Sequence, residues 1–228
     1  MLPAQQNVLR VIPLASNRAM KLVEEFHYSR RRVGAKFCFG LLDDDHLSGC
    51  CVFSVPASYT LCNGVCGKSY RKQVIELSRL VVTTQQKNAA SFLIGSSLRL
   101  LAEKGDWIIV SYADCNSHVG HVGYVYQATN WIYTGQGSSE PKWRHPETGE
   151  VISFTRRHID TKAERYGLTW RDLVKDEQVG KHRYVTFAGS KLFKRCARNA
   201  LNYPALPYPK GETHRHEAVK QLRDRMLF

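Results

Sequence analysis

The alternation and clustering of apolar positions along the chain predict an α+β domain. Residues 8–13 read as a short strand. Ser16 then stands where a helix cap is expected, and Ala19, Val23 and Phe26 fall at i, i+4 and i+7 on one face of a helix ending near His27-Tyr28-Ser29. Two apolar runs, 37–42 and 49–55, flank the polar turn 43–46 and predict a hairpin, while 58–72 reads as an irregular insertion. The run 74–82 (VIELSRLVV) predicts a long strand and 107–113 (WIIVSYA) a buried one. Between them lie a turn and a helix with Ile94, Leu98 and Leu101 as its apolar stripe, Ser96, Arg99 and Glu103 opposite, and Gly105 as its stop. A short helix over 119–128 and a strand over 131–134 follow. Beyond Gly135 the pattern loosens: a loop or hairpin over 138–157, a helix over 160–176, a strand over 181–187, a basic segment over 190–199, and a Pro-rich, then charged, end.

This order implies one parallel junction, between the strands at 74–82 and 107–113. It also divides the chain into a core, residues 1–137, and an extension, residues 138–228, packed on it as one structural domain. Charge sharpens the division. The first part carries 14 basic and 9 acidic residues (+5) and the shorter second part 19 and 11 (+8), within a total of +13. Such an excess favours a polyanionic partner, because each neutralised phosphate releases counterions. No basic amphipathic helix dominates, so nucleic acid is preferred over a membrane surface. Seven cysteines, an odd number without framework spacing, together with no signal peptide and no membrane-length apolar run, point to a reducing cytoplasm. Cys62-x-x-x-Cys66 has no second ligand pair, so small buried cysteines are expected there rather than a metal site.

Two segments resemble the GNAT acyltransferases. In that family a Gln/Arg-x-x-Gly-x-Gly/Ala turn at a helix start cradles the cofactor pyrophosphate on free backbone N–H groups. Gln86-Lys87-Asn88-Ala89-Ala90-Ser91, following Leu80-Val81-Val82, occupies that place with Ala89 in the glycine position. Tyr126-Gln-Ala-Thr-Asn-Trp131-Ile-Tyr-Thr-Gly135 resembles the closing motif, whose tyrosine protonates the leaving thiolate. The resemblance implies a GNAT-like mixed central sheet flanked by helices, with a basic C-terminal extension, two strands splayed around the cofactor, and acetyl-CoA or a related acyl donor.

A narrower resemblance is to Mom, the phage DNA-modification family. It rests on Phe26-His27-Tyr28-Ser29, Leu77-Ser78-Arg79-Leu80, Tyr112-Ala113-Asp114, the run 120–128 (GHVGYVYQA), Lys181-His182-Arg183-Tyr184 and Tyr208-Pro209-Lys210. It implies a transferase that places an acetamido (carbamoylmethyl) group on adenine N6 of double-stranded DNA, shielding phage DNA from restriction. It marks His27, Tyr28, Arg79, Asp114 and Tyr126 as the catalytic set. Asp114 then accepts from the amine or serves as general base, against a loop-capping role. Arg79 faces a cavity, or else pairs with Asp114 or Glu76. His27 and Tyr28 stack on a base or relay a proton, against finishing a core; Tyr126 is preferred to Tyr124 as the acid, though a lone tyrosine there is more often core. Arg30, Arg31, Arg144, Arg156 and Arg157 are the expected DNA contacts. Asp114, His118 and His121 also have the spacing of a two-His-one-carboxylate iron site, and His214-x-His216 is a second, terminal option. The alternatives are an N-acyltransferase acting on a protein or small amine, and a non-catalytic DNA-binding relative.

Overall fold

The computed structural model describes residues 8–115, 121–137, 139, 141–154 and 156–211. The chain runs β1 (Leu9–Pro13), α1 (Ser16–Phe26), β2 (Phe37–Asp43), β3 (His46–Ser54), α2 (Tyr59–Gly64), a 3-10 turn (Lys68–Gln73), β4 (Val74–Val82), α3 (Ala89–Glu103), β5 (Trp107–Ala113), α4 (Tyr124–Ala128) and β6 (Ile132–Gln136). It continues through β7 (Lys142–Arg144), β8 (Val151–Ser153), α5 (Ile159–Glu164), β9 (Val174–Asp176), β10 (His182–Ala188) and α6 (Lys191–Asn199).

The central sheet has seven strands in the order β1-β2-β3-β4-β5-β10-β6. Every neighbouring pair is antiparallel except β4 and β5. This is the mixed, helix-flanked sheet that the pattern and the GNAT resemblance imply. One face packs Ile75, Leu77, Ile109 and Ala113 against Leu93, Ile94 and Leu101 of α3 and Tyr126 of α4. The other face packs Cys50, Val52 and Val81 on α1, and Val74, Ile108, Val110 and Val185 beside Cys62, Cys66 and Ala197 of α2, the following turn and α6. All seven cysteines are free thiols. Among the described residues no helix is long and apolar enough to cross a membrane.

The segment after Gly137 does not form a separate layer. β10 enters the sheet between β5 and β6, so a strand from the expected extension completes the core. What stands apart is the stretch from β7 to β9, which forms a three-stranded sheet of its own. Trp143, Ile159, Ala163 and Leu173 make its small core. The helix expected over 160–176 is only one and a half turns long, because Gly167 takes a left-handed conformation at φ +69° and the chain turns back toward β9. Ser16 does not cap α1; Ala15 holds that position and makes no side-chain bond. The irregular insertion contains α2, capped by Ser58, whose hydroxyl accepts from the Leu61 N–H. Ser96, placed on the polar side of α3, is buried.

Gly123 fixes the approach to α4. Its φ of +83° is left-handed, and a Cβ there would lie 2.7 Å from the Tyr184 ring and 2.9 Å from the Tyr126 ring. Gly123→Ala therefore combines backbone strain with overpacking, together about 2–4 kcal/mol. The expected thermal-melt result is a fall on the order of 10 °C; an unchanged Tm would show that α4 can shift freely around Tyr126.

Candidate active site

The junction of β4 and β5 is short. Only Val74, Ile75 and Glu76 pair with Ile108, Ile109 and Val110, and beyond that point the strands part. The Leu77 carbonyl is met instead by a side chain: the Ser111 hydroxyl lies 2.8 Å from it and 2.8 Å from the Tyr126 hydroxyl. A carbonyl only accepts, so the single serine proton goes to Leu77 and Tyr126 donates to Ser111. Tyr126 is buried, in ring contact with Trp131 and Tyr184. Burial pushes its hydroxyl up to about 12, so it keeps its proton at neutral pH. The neighbouring Tyr124 turns away, bonding to the backbone of Gly211.

On the opposite face, a bulge decides the chemistry. Val52 pairs with Arg79 and Phe53 with Leu77, so Ser78 is the extra residue. In a regular strand Glu76 and Arg79, three apart, would point to opposite faces; the bulge puts both on the face of Ser54 and Val52. The Arg79 guanidinium donates to the Arg31 carbonyl at 3.2 Å and to the Ser78 carbonyl at 2.7 Å. It thus ties β4 to the loop after α1 while lining a cleft of about 1070 Å³. Arg31, Arg79, Lys142, Arg144, Lys181 and Arg183 line this cleft, with Tyr28, Tyr112, Phe154 and Tyr203 among them, and among the described residues Asp114 is the one carboxylate in its lining.

Asp114 ends β5 and pairs with Lys181 at 2.9 Å, its side chain 14% exposed. His27 closes α1. Its Nδ1 accepts the Ser29 N–H at 3.1 Å, which places the neutral ring's proton on Nε2. Burial, then the charges of Arg79 and Lys181, lower its pKa to about 4. The Tyr28 ring lies 4.3 Å away and is exposed toward the cleft. Burial also raises Glu76, against opposing effects of Ser78, Arg79 and Lys181.

The expected DNA contacts divide. Arg31 stacks on Phe154 at 4.5 Å and lines the cleft, as does Arg144, which pairs with Asp176 at 2.8 Å. Arg30 and Arg157 are exposed outside the cleft lining, and Arg156 lies over Trp170 at 4.8 Å on the small sheet domain. Lys181 and Arg183 entered the sequence reading only within the motif at 181–184, with no role assigned, although the two-residue period of a strand puts them on one face; Ser111 carried no sequence signal. Of the iron-type set, Asp114 is paired with Lys181 and the His121 Nδ1 accepts the Gly123 N–H at 3.1 Å. His118 and the terminal His214 and His216 lie outside the described residues. No group of three metal-ligating side chains occurs among the described residues, so the structure gives the iron expectation no support.

The loop before α3 is held by Asp43, whose carboxylate accepts from the Thr84 hydroxyl at 2.5 Å and from the Gln86 amide. Asn88 is left-handed at φ +65° and opens the helix. Lys87 is exposed, and the first-turn N–H groups of Ala90 and Ser91 have no intrahelical acceptor. Ala89 is buried in the α3 core, so the Cβ that replaces the family's glycine points inward and leaves the cradle open. These residues fit a pyrophosphate. Leu80 and Val82 pack toward the α3 side and Val81 toward α1.

His27 generates a pH prediction. Its folded pKa lies below the unfolded value of 6.5, so between about pH 6.5 and 4 only the unfolded chain takes the proton. Stability is therefore complete above pH 6.5 and falls toward pH 4, by on the order of 3 kcal/mol from this group. His27→Asn keeps an acceptor for the Ser29 N–H and cannot titrate. In chemical denaturation its stability-against-pH slope should shrink by close to one proton across that window; an unchanged slope would mean that His27 titrates normally.

No curated protein matches the chain. Solved structures similar to it include an N-acetyltransferase from Staphylococcus aureus, at 9% identity and TM-score 0.44, over 78% of this chain and 97% of that one. The ribosomal-protein-S18-alanine N-acetyltransferase from Escherichia coli is similar at 8% identity and TM-score 0.43, over 80% and 96%. A GNAT family acetyltransferase from Elizabethkingia anophelis with acetyl-CoA bound is similar at 13% identity and TM-score 0.38, over 79% and 98%. The Mom protein family matches across residues 8–210, which carry both the splayed junction and the cationic cleft, and the chain belongs to that family.

Proposed function

We propose that the chain transfers an acetamido group to the N6 amine of adenine in duplex DNA, modifying phage DNA against restriction. The observation that carries this reading is the cleft, where the described residues set six cations and four aromatic rings around Asp114, opening beside the parted strands. Cations on that scale suit a phosphate backbone, and aromatic rings among them suit bases. The N6 amine is engaged in pairing within the duplex, so the base must be everted to react.

The backbone cradle of Gln86, Lys87, Asn88, Ala89, Ala90 and Ser91 would hold the pyrophosphate of acetyl-CoA or a related donor; a simple thioester would supply only an acyl carbon, so the acetamido product calls for a donor that brings its own amide nitrogen and an activated methylene carbon. The chain's own residues bind, orient and move protons. Asp114, steadied by Lys181, accepts a proton from the amine as its new bond forms. Tyr126, neutral and hydrogen-bonded at the strand gap, is the proton donor. His27, neutral with Nδ1 occupied, orients rather than deprotonates. Arg79 holds the loop after α1 against β4 and brings positive charge to the cleft. The adenine amine is a weak nucleophile, so positioning supplies much of the acceleration.

Two outcomes test the reading. Mass spectrometry of nucleosides from DNA of expressing cells should show modified adenine with the parent and a loss of about a hundredfold or more with Asp114→Asn or Tyr126→Phe. Unmodified adenine with the folded parent would overturn it. In duplex-binding titrations, Lys142→Ala should reduce the slope of log affinity against log salt by about one, while Arg157→Ala, outside the cleft, leaves it near the parent value. Equal effects would move the DNA path off the cleft.

A further inference from the structure

A second cavity, of about 470 Å³, lies on the same sheet face and shares Arg79 as a wall with the cationic cleft. Val33 and Ala35 from the loop after α1 and Val55 beyond β3 give it apolar sides. Its polar groups include a cross-strand pair, Ser54 of β3 and Glu76 of β4, which face each other in register at the last residue before β4 and β5 part.

Neither polar group is used up by the fold. Ser54 is buried, 7% exposed, and its hydroxyl has no hydrogen-bond partner. A buried orphan hydroxyl is destabilising unless something occupies it. The Ser78 hydroxyl donates to the Glu76 main-chain carbonyl at 3.4 Å, so its one proton leaves the carboxyl's acceptor capacity open. The nearby cations are committed elsewhere: Arg79 to two backbone carbonyls, and Lys36 to the Trp107 ring at 4.5 Å. The carboxyl argues against a phosphate. Apolar walls with one acceptor-rich and one two-way polar group suit a flat, neutral heterocycle bearing an amine.

We propose that this cavity receives the everted adenine, the Glu76 carboxyl accepting from its 6-amino group and the Ser54 hydroxyl meeting a ring nitrogen. The inference rests on the DNA-adenine reading above and adds the residues that choose the base. The amine has two hydrogens, so one held by Glu76 leaves the other to be lost as the new bond forms. A 6-oxo purine would turn an acceptor toward the carboxyl, leaving both oxygens unpaired, and would be rejected.

The test measures binding of the full-length protein to a mixed-sequence duplex by fluorescence anisotropy at one low salt concentration. One position, opposite an abasic site so that eversion is easy, holds adenine or hypoxanthine. The parent should bind the adenine duplex at least tenfold more tightly. Glu76→Gln should bring the two within two- to threefold, because its carboxamide can donate to the 6-oxo group. Ser54→Ala should melt no lower than the parent, since it breaks no internal bond, yet bind the adenine duplex several-fold more weakly. Parent-like discrimination by folded Glu76→Gln, or parent-like affinity of folded Ser54→Ala for the adenine duplex if the first variant does not fold, overturns the pocket. Duplex binding by the parent without adenine preference also overturns the pocket while leaving the DNA reading intact. No duplex binding by the parent overturns both.

Discussion

β4 and β5 are joined by three residue pairs, and the next carbonyl along the seam, that of Leu77, is satisfied by the Ser111 hydroxyl instead of a backbone N–H. A parallel pair opened in this way would leave polar backbone groups orphaned in the core if nothing met them. The serine closes that deficit on one side and receives the Tyr126 proton on the other. The gap is thereby stable and chemically furnished. The α3 face, with the helix start, lies on one side of the seam, and the cationic cleft and the Glu76–Ser54 cavity lie on the other.

The electrostatics divide along the same seam. Burial holds Tyr126 protonated and His27 unprotonated at neutral pH, so each is fixed in one role. In the cleft, Asp114 is set against Lys181 and surrounded by cations, an arrangement that keeps the carboxylate oriented while the field around it draws in polyanions. Arg79 belongs to both sides of this division. A one-residue bulge turns it to the cleft face, and its two bonds to backbone carbonyls make it a wall between cleft and cavity.

Strong periodicity made the core legible. The runs 74–82 and 107–113 became β4 and β5 with the same ends, because β-branched and aromatic residues buried on both faces have no competing helical pattern. The place of β10 was not legible: a strand late in the sequence enters the sheet beside β5, and no local pattern specifies a non-local partner. The same applies to Lys181, which matters because it meets Asp114, 67 residues earlier in the chain. The bulge at Ser78 left no trace in the sequence, so Glu76 entered only as a possible partner for Arg79 and its shared face with Ser54 was invisible. Ala89, in the glycine position of the phosphate turn, is buried with the α3 core, which its place at the head of an apolar helix face allows. Tyr28, Arg79 and Asp114, read from short motifs far apart, do converge on one cleft.

The central claim is that the open seam holds the donor while the opposite face holds the base. Hydrogen–deuterium exchange of the full-length protein, with and without acetyl-CoA, tests it most directly. The account predicts protection in residues 77–82 of β4 and in the loop 86–91, where backbone groups left free by the parting of the strands and by the helix start become covered. Unchanged exchange in both segments at saturating acetyl-CoA, or protection confined to the cationic cleft, would contradict it.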